Sequence, residues 1–246
     1  MNVIAHLSDI HIDDDPRSSE RTRVIMDYLN ALPADLDAVL VSGDIADHAL
    51  PREYERAREL LACRHPIVIC PGNHDDRAAF RKHLLGAEPD TVPVNQVLEG
   101  AGFVLAACDS SIPGAAKGEL ADETLAWLDG VLEAARGRHA LVAFHHPPAL
   151  LHVPVLDAIR QYGGQRLARL LERHPHVRAL LAGHAHTPAA TTFAGRPLLV
   201  APGVVSTLRM PWEPAKGVVD LDQPPSLAFH VLDDEGRLTT HYRMIL

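Results

Sequence analysis

Short apolar runs that stop abruptly at Asp, Asn or His constrain this chain more than any other feature of it. Runs at 3–7, 38–41, 67–70, 102–107, 140–144, 177–181, 197–201, 226–232 and 238–245 are rich in Val, Ile, Leu and Ala. Each ends in polar or Gly/Pro punctuation, which is how buried strands read. Helical patterns lie between several of them, at 19–32, 52–63, 76–85, 122–136 and 165–173. Strands alternating with helices predict an α/β fold with crossover connections. The last runs sit close together without helices, so the C-terminal part is expected to be antiparallel, giving a mixed β-sandwich flanked by helices. No internal repeat and no Gly-, Ser- or charge-rich linker divides the sequence, which predicts one domain over 1–246. Two Pro-bearing stretches, 147–164 and 206–225, are long enough to rim a site or to be ordinary surface loops.

With 246 residues and 47% apolar content, the chain has ample material for a core. No apolar run approaches the roughly 18 residues that would span a bilayer, so no membrane partner is expected. The formal charge is −9, and the basic residues, nearly all Arg, are scattered singly. That is no footprint for stable nucleic-acid binding. A small anionic substrate remains compatible. Cys63, Cys70 and Cys108 suggest neither a disulfide framework nor a thiolate zinc site. Together with an N-terminus lacking a basic and then apolar leader, they predict a cytoplasmic location.

The polar residues that end the runs are of the metal-binding kind. Run 3–7 leads into Asp9-Ile10-His11, run 38–41 into Gly43-Asp44-Ile45-Ala46-Asp47, and run 67–70 into Gly72-Asn73-His74-Asp75. Run 140–144 ends in His145-His146-Pro147-Pro148, and run 177–181 in Gly183-His184-Ala185-His186. Five strand ends thus bring such side chains to one edge of a sheet, and in open α/β sheets ligands bind at the carboxyl edge. Residues two apart on an extended segment share a face, so Asp9 with His11, and His184 with His186, are each expected to reach one centre. Imidazole, carboxylate and amide donors without thiolate suit Mn, Fe or Zn in five- or six-coordinate sites better than a structural zinc. The donors exceed the needs of one ion, and Asp44, alone between the pairs, is the natural bridge between two.

The ordered set D-x-H, G-D-x-x-D, G-N-H-D, a strand-end His and G-H-x-H closely resembles the calcineurin-like metallophosphoesterases over residues 9–186. The resemblance implies a four-layer α+β fold with the metal site at the C-terminal ends of strands. The blocks His-Leu-Ser-Asp-Ile-His, Gly-Asn-His-Asp-Asp-Arg and His-His-Pro-Pro look, within that family, like the bacterial class III cyclic-nucleotide phosphodiesterases and the related glycerophosphodiesterases. Carried over position by position, it implies one metal held by Asp9, His11, Asp44 and His186, and a second held by Asp44, Asn73, His145 and His184. His74 matches the family's catalytic histidine, and Asp47 the aspartate that orients it. Asn73, His74 and His184 are the expected substrate-binding residues. Family position, not spacing, selects His145 over His146, which is expected to stand behind it. The implied cofactors are two divalent ions, Mn or Fe first, with Zn or Co as alternatives. His48-Ala49 stands where phosphoprotein phosphatases carry Arg-Gly, which weakens a protein-phosphatase role.

Two divalent ions bridged by hydroxide supply a nucleophile near neutral pH and positive charge facing the phosphoryl oxygens of an in-line displacement. With two carboxylates the site keeps about one positive charge, which a diester monoanion neutralises and a monoester dianion exceeds. His74 can then protonate the leaving alkoxide, on the order of 10²–10⁴ in rate. The expectation is a phosphodiesterase acting on a small diester, with a 3′,5′-cyclic nucleotide (cAMP) hydrolysed to the nucleoside 5′-monophosphate as first choice. A glycerophosphodiesterase, a broad-specificity phosphoesterase or nuclease of the same fold, and a non-catalytic scaffold are the alternatives. A homodimer is expected by analogy. Asp47 has a second reading as N-cap of the helix near Pro51, and Asp75 or Asp76 is expected to cap the helix that follows. His6, His48, His65, His83, His139, His152, His174, His176, His230 and His241 are expected on the surface or as hydrogen-bonded core groups. Trp127 and Leu128 are expected in a core stripe with Leu125, Leu132 and Ala135.

Overall fold

Two sheets face each other in a computed structural model that describes residues 1–213 and 217–246. The first has strand order Leu238–Met244, Ser226–Leu232, Asn2–Leu7, Ala38–Ser42, Ile67–Cys70. Its last three strands are parallel, and the two C-terminal strands join antiparallel, as the missing crossover helices predicted. The second sheet runs Ala189–Phe193, Arg196–Val200, Val177–Ala182, His139–Phe144, Phe103–Cys108, Gln96–Gly100. Arg196–Val200 lies parallel to Val177–Ala182, against the antiparallel expectation for this part, because the hairpin strand Ala189–Phe193 turns the chain back first. That strand and Gln96–Gly100 escaped sequence reading: both are short edges with half-exposed alternation in place of an apolar run.

Period-two alternation explains the layers. Ile4, Leu40, Val68 and Leu232 meet Phe103, Leu105, Leu141 and Leu181 between the sheets. Ala5, Leu7, Val39 and Val41 point the other way, onto Ile25 and Leu29 of the helix Pro16–Asn30 and Tyr54 and Ala57 of the helix Pro51–Leu60. Val142 and Leu180 face Leu128 and Leu132 of the helix Asp122–Ala134 and Leu167 and Leu170 of the helix Gly164–Arg173. Trp127 and Leu125 pack on that same cluster. The result is the four-layer helix–sheet–sheet–helix arrangement.

Helix boundaries follow local chemistry. Asp15 caps the first helix by accepting from Arg17 N at 2.9 Å, with Pro16 at its first position. The helix expected over 76–85 is instead one α-turn, Arg77–Ala79, capped by Asp76, followed by a π-helical segment, Phe80–Leu85. The helix after Pro51 is not capped by Asp47. Glu53, buried, accepts from His48 N and Leu50 N at 2.9 and 3.1 Å and does that work. Of the expected rim 206–225, residues 214–216 lie outside the described part. Among the described residues no helix is long and apolar enough to cross a membrane.

Candidate metal centre

The strand ends of both sheets turn toward one another at their carboxyl edge. Asp9, His11, Asp44, His184 and His186 all adopt left-handed backbone, with φ of 55°, 42°, 51°, 67° and 53°. Such conformations cost L-residues roughly 1–2 kcal/mol each and persist only where the surroundings enforce them. Here cross-loop bonds do so: Asp9 N to Gly43 O at 3.1 Å, His11 N to Asp44 O at 2.9 Å, and Gly203 N to His186 O at 2.9 Å. The D-x-H and H-x-H pairs are therefore left-handed and not extended, contrary to what their spacing predicts. Asp9 and His11 still converge, in one group with His186, whereas His184 falls in a separate group with His145 and His146.

Asp44 Oδ2 stands between two imidazoles, 3.5 Å from His11 Nε2 and 3.3 Å from His145 Nε2. Its other oxygen accepts from His74 N at 2.9 Å. Asp9 Oδ2 accepts from His184 N at 3.0 Å, while Oδ1 lies 3.4 Å from His186 Nε2 and has no hydrogen-bond partner. Asn73 Oδ1 and His184 Nε2 are likewise buried and unpartnered. Each ring that points Nε2 inward is tethered at the opposite nitrogen. His11 Nδ1 meets Asp47 Oδ1 at 2.8 Å, His145 Nδ1 meets the Ser42 carbonyl at 2.7 Å, and His186 Nδ1 meets Ser206 Oγ at 2.9 Å.

These contacts test whether a cation belongs here. A carboxylate and a carbonyl only accept, so His11 and His145 carry their proton on Nδ1. In the neutral rings the Nε2 lone pairs then face Asp44 Oδ2, and His11 Nε2 also faces His186 Nε2 at 3.2 Å. Lone pairs opposed at such distances repel unless a proton or a metal ion lies among them. Burial works against a charged His11 ring, but Asp47, Asp44 and Asp9 overcome it and hold the pKa at about 9. Against the same burial, Asp44 and Asp9 raise His145 to about 9. Burial and the neighbouring His145 push His184 down to about 3, and burial lowers His186. The donor set of carboxylate, amide and imidazole, with its orphaned oxygens, fits divalent ions.

His74 lies at the open side. Its Nδ1 is 2.8 Å from the Asp47 carbonyl and its ring stacks edge-on to His11 at 4.7 Å between centroids. Asp47 was expected to orient His74 through its carboxylate. That carboxylate instead holds His11, lying 3.5 Å from His74 Nδ1, and the backbone oxygen holds His74. Of Asp75 and Asp76, either of which the sequence offers as the cap, Asp76 takes that place, and Asp75 does not. It is pulled under the site, accepting from Gly72 N, Ile45 N and Ala46 N, where burial and Asp44 raise its pKa to about 6. His146 is fully buried: Ser110 Oγ receives its backbone N–H at 3.2 Å and meets Nδ1 at 2.8 Å. Sequence reading missed Ser42, Ser206 and the strand end Asp109-Ser110-Ser111. There Asp109 accepts from Arg77 Nε at 2.8 Å and ties the Asn73–Arg77 loop to the second sheet. The polar run after Cys108 was the available signal for that sixth strand end.

The profile of the calcineurin-like phosphoesterases matches residues 3–188, and the chain belongs to this family. It is 33% identical to the glycerophosphodiester phosphodiesterase GpdQ of Enterobacter lignolyticus, over 93% of this chain and 86% of that protein. It is 33% identical to a cAMP/cGMP dual specificity phosphodiesterase of Mycobacterium tuberculosis, over 81% of this chain and 66% of that one. With the 3′,5′-cyclic adenosine monophosphate phosphodiesterase CpdA of Escherichia coli it shares 30% identity over 74% and 66% of the two chains. A dimetal phosphatase from Danio rerio has the same fold, with a TM-score of 0.72 at 15% identity, covering 100% of this chain and 96% of the other.

Proposed function

We propose that residues 1–246 work as one cytoplasmic domain, a phosphodiesterase that holds two divalent cations and hydrolyses a small phosphodiester, a 3′,5′-cyclic nucleotide such as cAMP being the first choice. One cation falls to Asp9, His11, Asp44 and His186, the other to Asp44, Asn73, His145 and His184. The observation that carries the reading is the position of Asp44 Oδ2, shared by His11 Nε2 and His145 Nε2 with both rings tethered from behind. When bound, such ions supply an activated water near neutral pH and positive charge opposite the phosphoryl oxygens.

The protein's own groups do the rest. His74 Nδ1 donates to the Asp47 carbonyl, which leaves Nε2 as the atom that passes a proton to the departing alkoxide. The Asp47 carboxylate, engaged with His11, lies 3.5 Å from the same nitrogen. Beside Asn73 and His74 opens a cavity of about 340 Å³, bounded also by Arg77, Thr91, Ser111 and Pro113, with room for the alcohol part of a diester. Among the described residues His74 is the only aromatic side chain on its wall, which gives a nucleobase little flat surface to stack on. That favours a glycerophosphodiester as the second reading.

A panel of cAMP, cGMP, glycerophosphodiesters and p-nitrophenyl mono- and diesters, run on protein reconstituted with Mn, Fe, Zn or Co, tests both. Diesters are expected to exceed monoesters in kcat/KM. A metal-loaded protein inert toward every diester overturns the proposal.

A further inference from the structure

A row of polar side chains crosses the apolar space between the sheets. On Asn2–Leu7, His6 shares the inner face with Ile4; on Ala38–Ser42, Ser42 shares it with Leu40. On the two C-terminal strands, His230 and Thr240 are directly paired and share that face with Leu232 and Leu238. The contacts are continuous. Thr240 Oγ1 lies 2.8 Å from His230 Nδ1, His230 Nε2 lies 3.0 Å from His6 Nδ1, and His6 Nε2 lies 2.7 Å from Ser42 Oγ. Ser42 Oγ donates to Ser8 Oγ at 2.9 Å, and Ser8 Oγ donates to the Ser42 carbonyl at 3.2 Å. That carbonyl is the one that takes the proton of His145 Nδ1.

The proton inventory closes without charge. Ser42 spends its hydrogen on Ser8, so His6 must donate from Nε2 and accept at Nδ1. His230 then donates from Nε2 and accepts at Nδ1 from Thr240. Both rings are neutral, as burial demands: it lowers His6 well below its ordinary value, with His230 adding to the effect, and lowers His230 to about 3. Replacing both partners of a buried neutral hydrogen bond with apolar groups of the same shape can be nearly neutral or stabilising. Packing alone therefore does not account for two imidazoles where Ile4, Leu40 and Leu232 surround them. The inner end of the row also lies against the loop carrying His184, since any Cβ on Gly183 would overlap Ser8 Oγ.

We infer that His6 and His230 are positioning residues: with Ser42 and Ser8 they fix the Ser42 carbonyl, and through it the ring orientation and Nδ1–H tautomer of His145. The inference rests on the metal-centre reading above and adds the residues that aim one of its donors. Groups that orient a metal-binding imidazole are worth about 10–100-fold in metal affinity.

The experiment is calorimetric titration of the metal-free protein with zinc, beside 1H–15N spectra of the zinc-loaded, histidine-labelled protein. His6→Leu is expected to bind one of two ions about 10–100-fold more weakly and to broaden or shift the His145 Nδ1–H resonance. His6→Gln, which keeps a donor toward Ser42, is expected to restore most of both. Thr240→Val, at the half-buried outer end, moves the same resonance and serves where His6→Leu does not fold. Variants that bind both ions with wild-type affinity and leave the resonance in place, changing only Tm, overturn the inference. A wild-type chain that takes up no ion overturns the metal-centre reading itself, and the two failures are distinct.

Discussion

Asp47 grips His11, Oδ1 to Nδ1 at 2.8 Å, and in doing so turns the Nε2 of that ring toward Asp44. The carboxylate is half-buried, and its pKa is lowered by the hydrogen bond from His11 and by His11, His74 and His48 nearby. Asp47→Ala frees the ring and removes one of the three carboxylates that make it basic. Affinity for one of two ions is expected to fall about 10–100-fold. The His74 contact survives, because it uses the backbone oxygen. Equilibrium dialysis against manganese checks this: unchanged stoichiometry at limiting metal would remove Asp47 from any orienting role.

His74 is expected to behave in the opposite way. It is 40% exposed at the side chain and tethered only through Nδ1, so its loss disturbs no other expected donor. His74→Ala should keep both ions and lose on the order of 10²–10⁴ in kcat on alkyl diesters. The loss on p-nitrophenyl diesters should be much smaller, since that phenolate leaves without a proton. Equal losses on both substrate types would refute the acid role.

How much of this was readable beforehand divides along a physical line. Apolar runs of Val, Ile and Leu mark strands because burial on both faces demands them, and Asp9, His11, Asp44, Asn73, His145, His184 and His186 were visible as the polar residues that end those runs. Edge strands such as Gln96–Gly100 bury one face only and leave no run to read. The left-handed backbone at Asp9 and His184 was not legible, because side-chain identity does not show φ where the enforcing bonds come from distant loops. Ser42, Ser206 and Ser110 were missed for a related reason. A serine becomes an orienting group only by what stands opposite it in space.

The basicity of His11 and His145 makes metal uptake pH-dependent. Both rings hold an extra proton in the metal-free chain up to about pH 9, and a cation must displace it. Affinity is therefore expected to rise with pH and level off near 9, with up to roughly two protons released per filled site pair. The stability of the metal-free chain moves the other way. Each raised pKa contributes stability that is complete below the unfolded value of about 6.5 and is lost as pH rises through about 9. Zinc titrations in buffers of different ionisation enthalpy count the protons. A flat affinity between pH 6 and 9 would contradict the protonated resting state.

Two glycines distinguish a steric requirement of the site from ordinary chain freedom. At Gly72 an added Cβ would overlap Asp44 Oδ1 and lie 2.5 Å from Asp44 N, so the loop bearing Asn73 can approach Asp44 only because no side chain intervenes. Gly72→Ala must displace that carboxylate or the loop, at a cost of about 1–3 kcal/mol in stability and with loss of the shared position between His11 and His145. Gly130, inside the helix Asp122–Ala134, has open space around its Cβ position. Gly130→Ala is expected to stabilise the fold by about 0.5–1 kcal/mol and to leave metal uptake unchanged. Thermal denaturation with and without zinc separates the effects: the zinc-induced rise in Tm should shrink in Gly72→Ala and persist in Gly130→Ala. A full zinc response in Gly72→Ala would mean that Asp44 is not held against that loop.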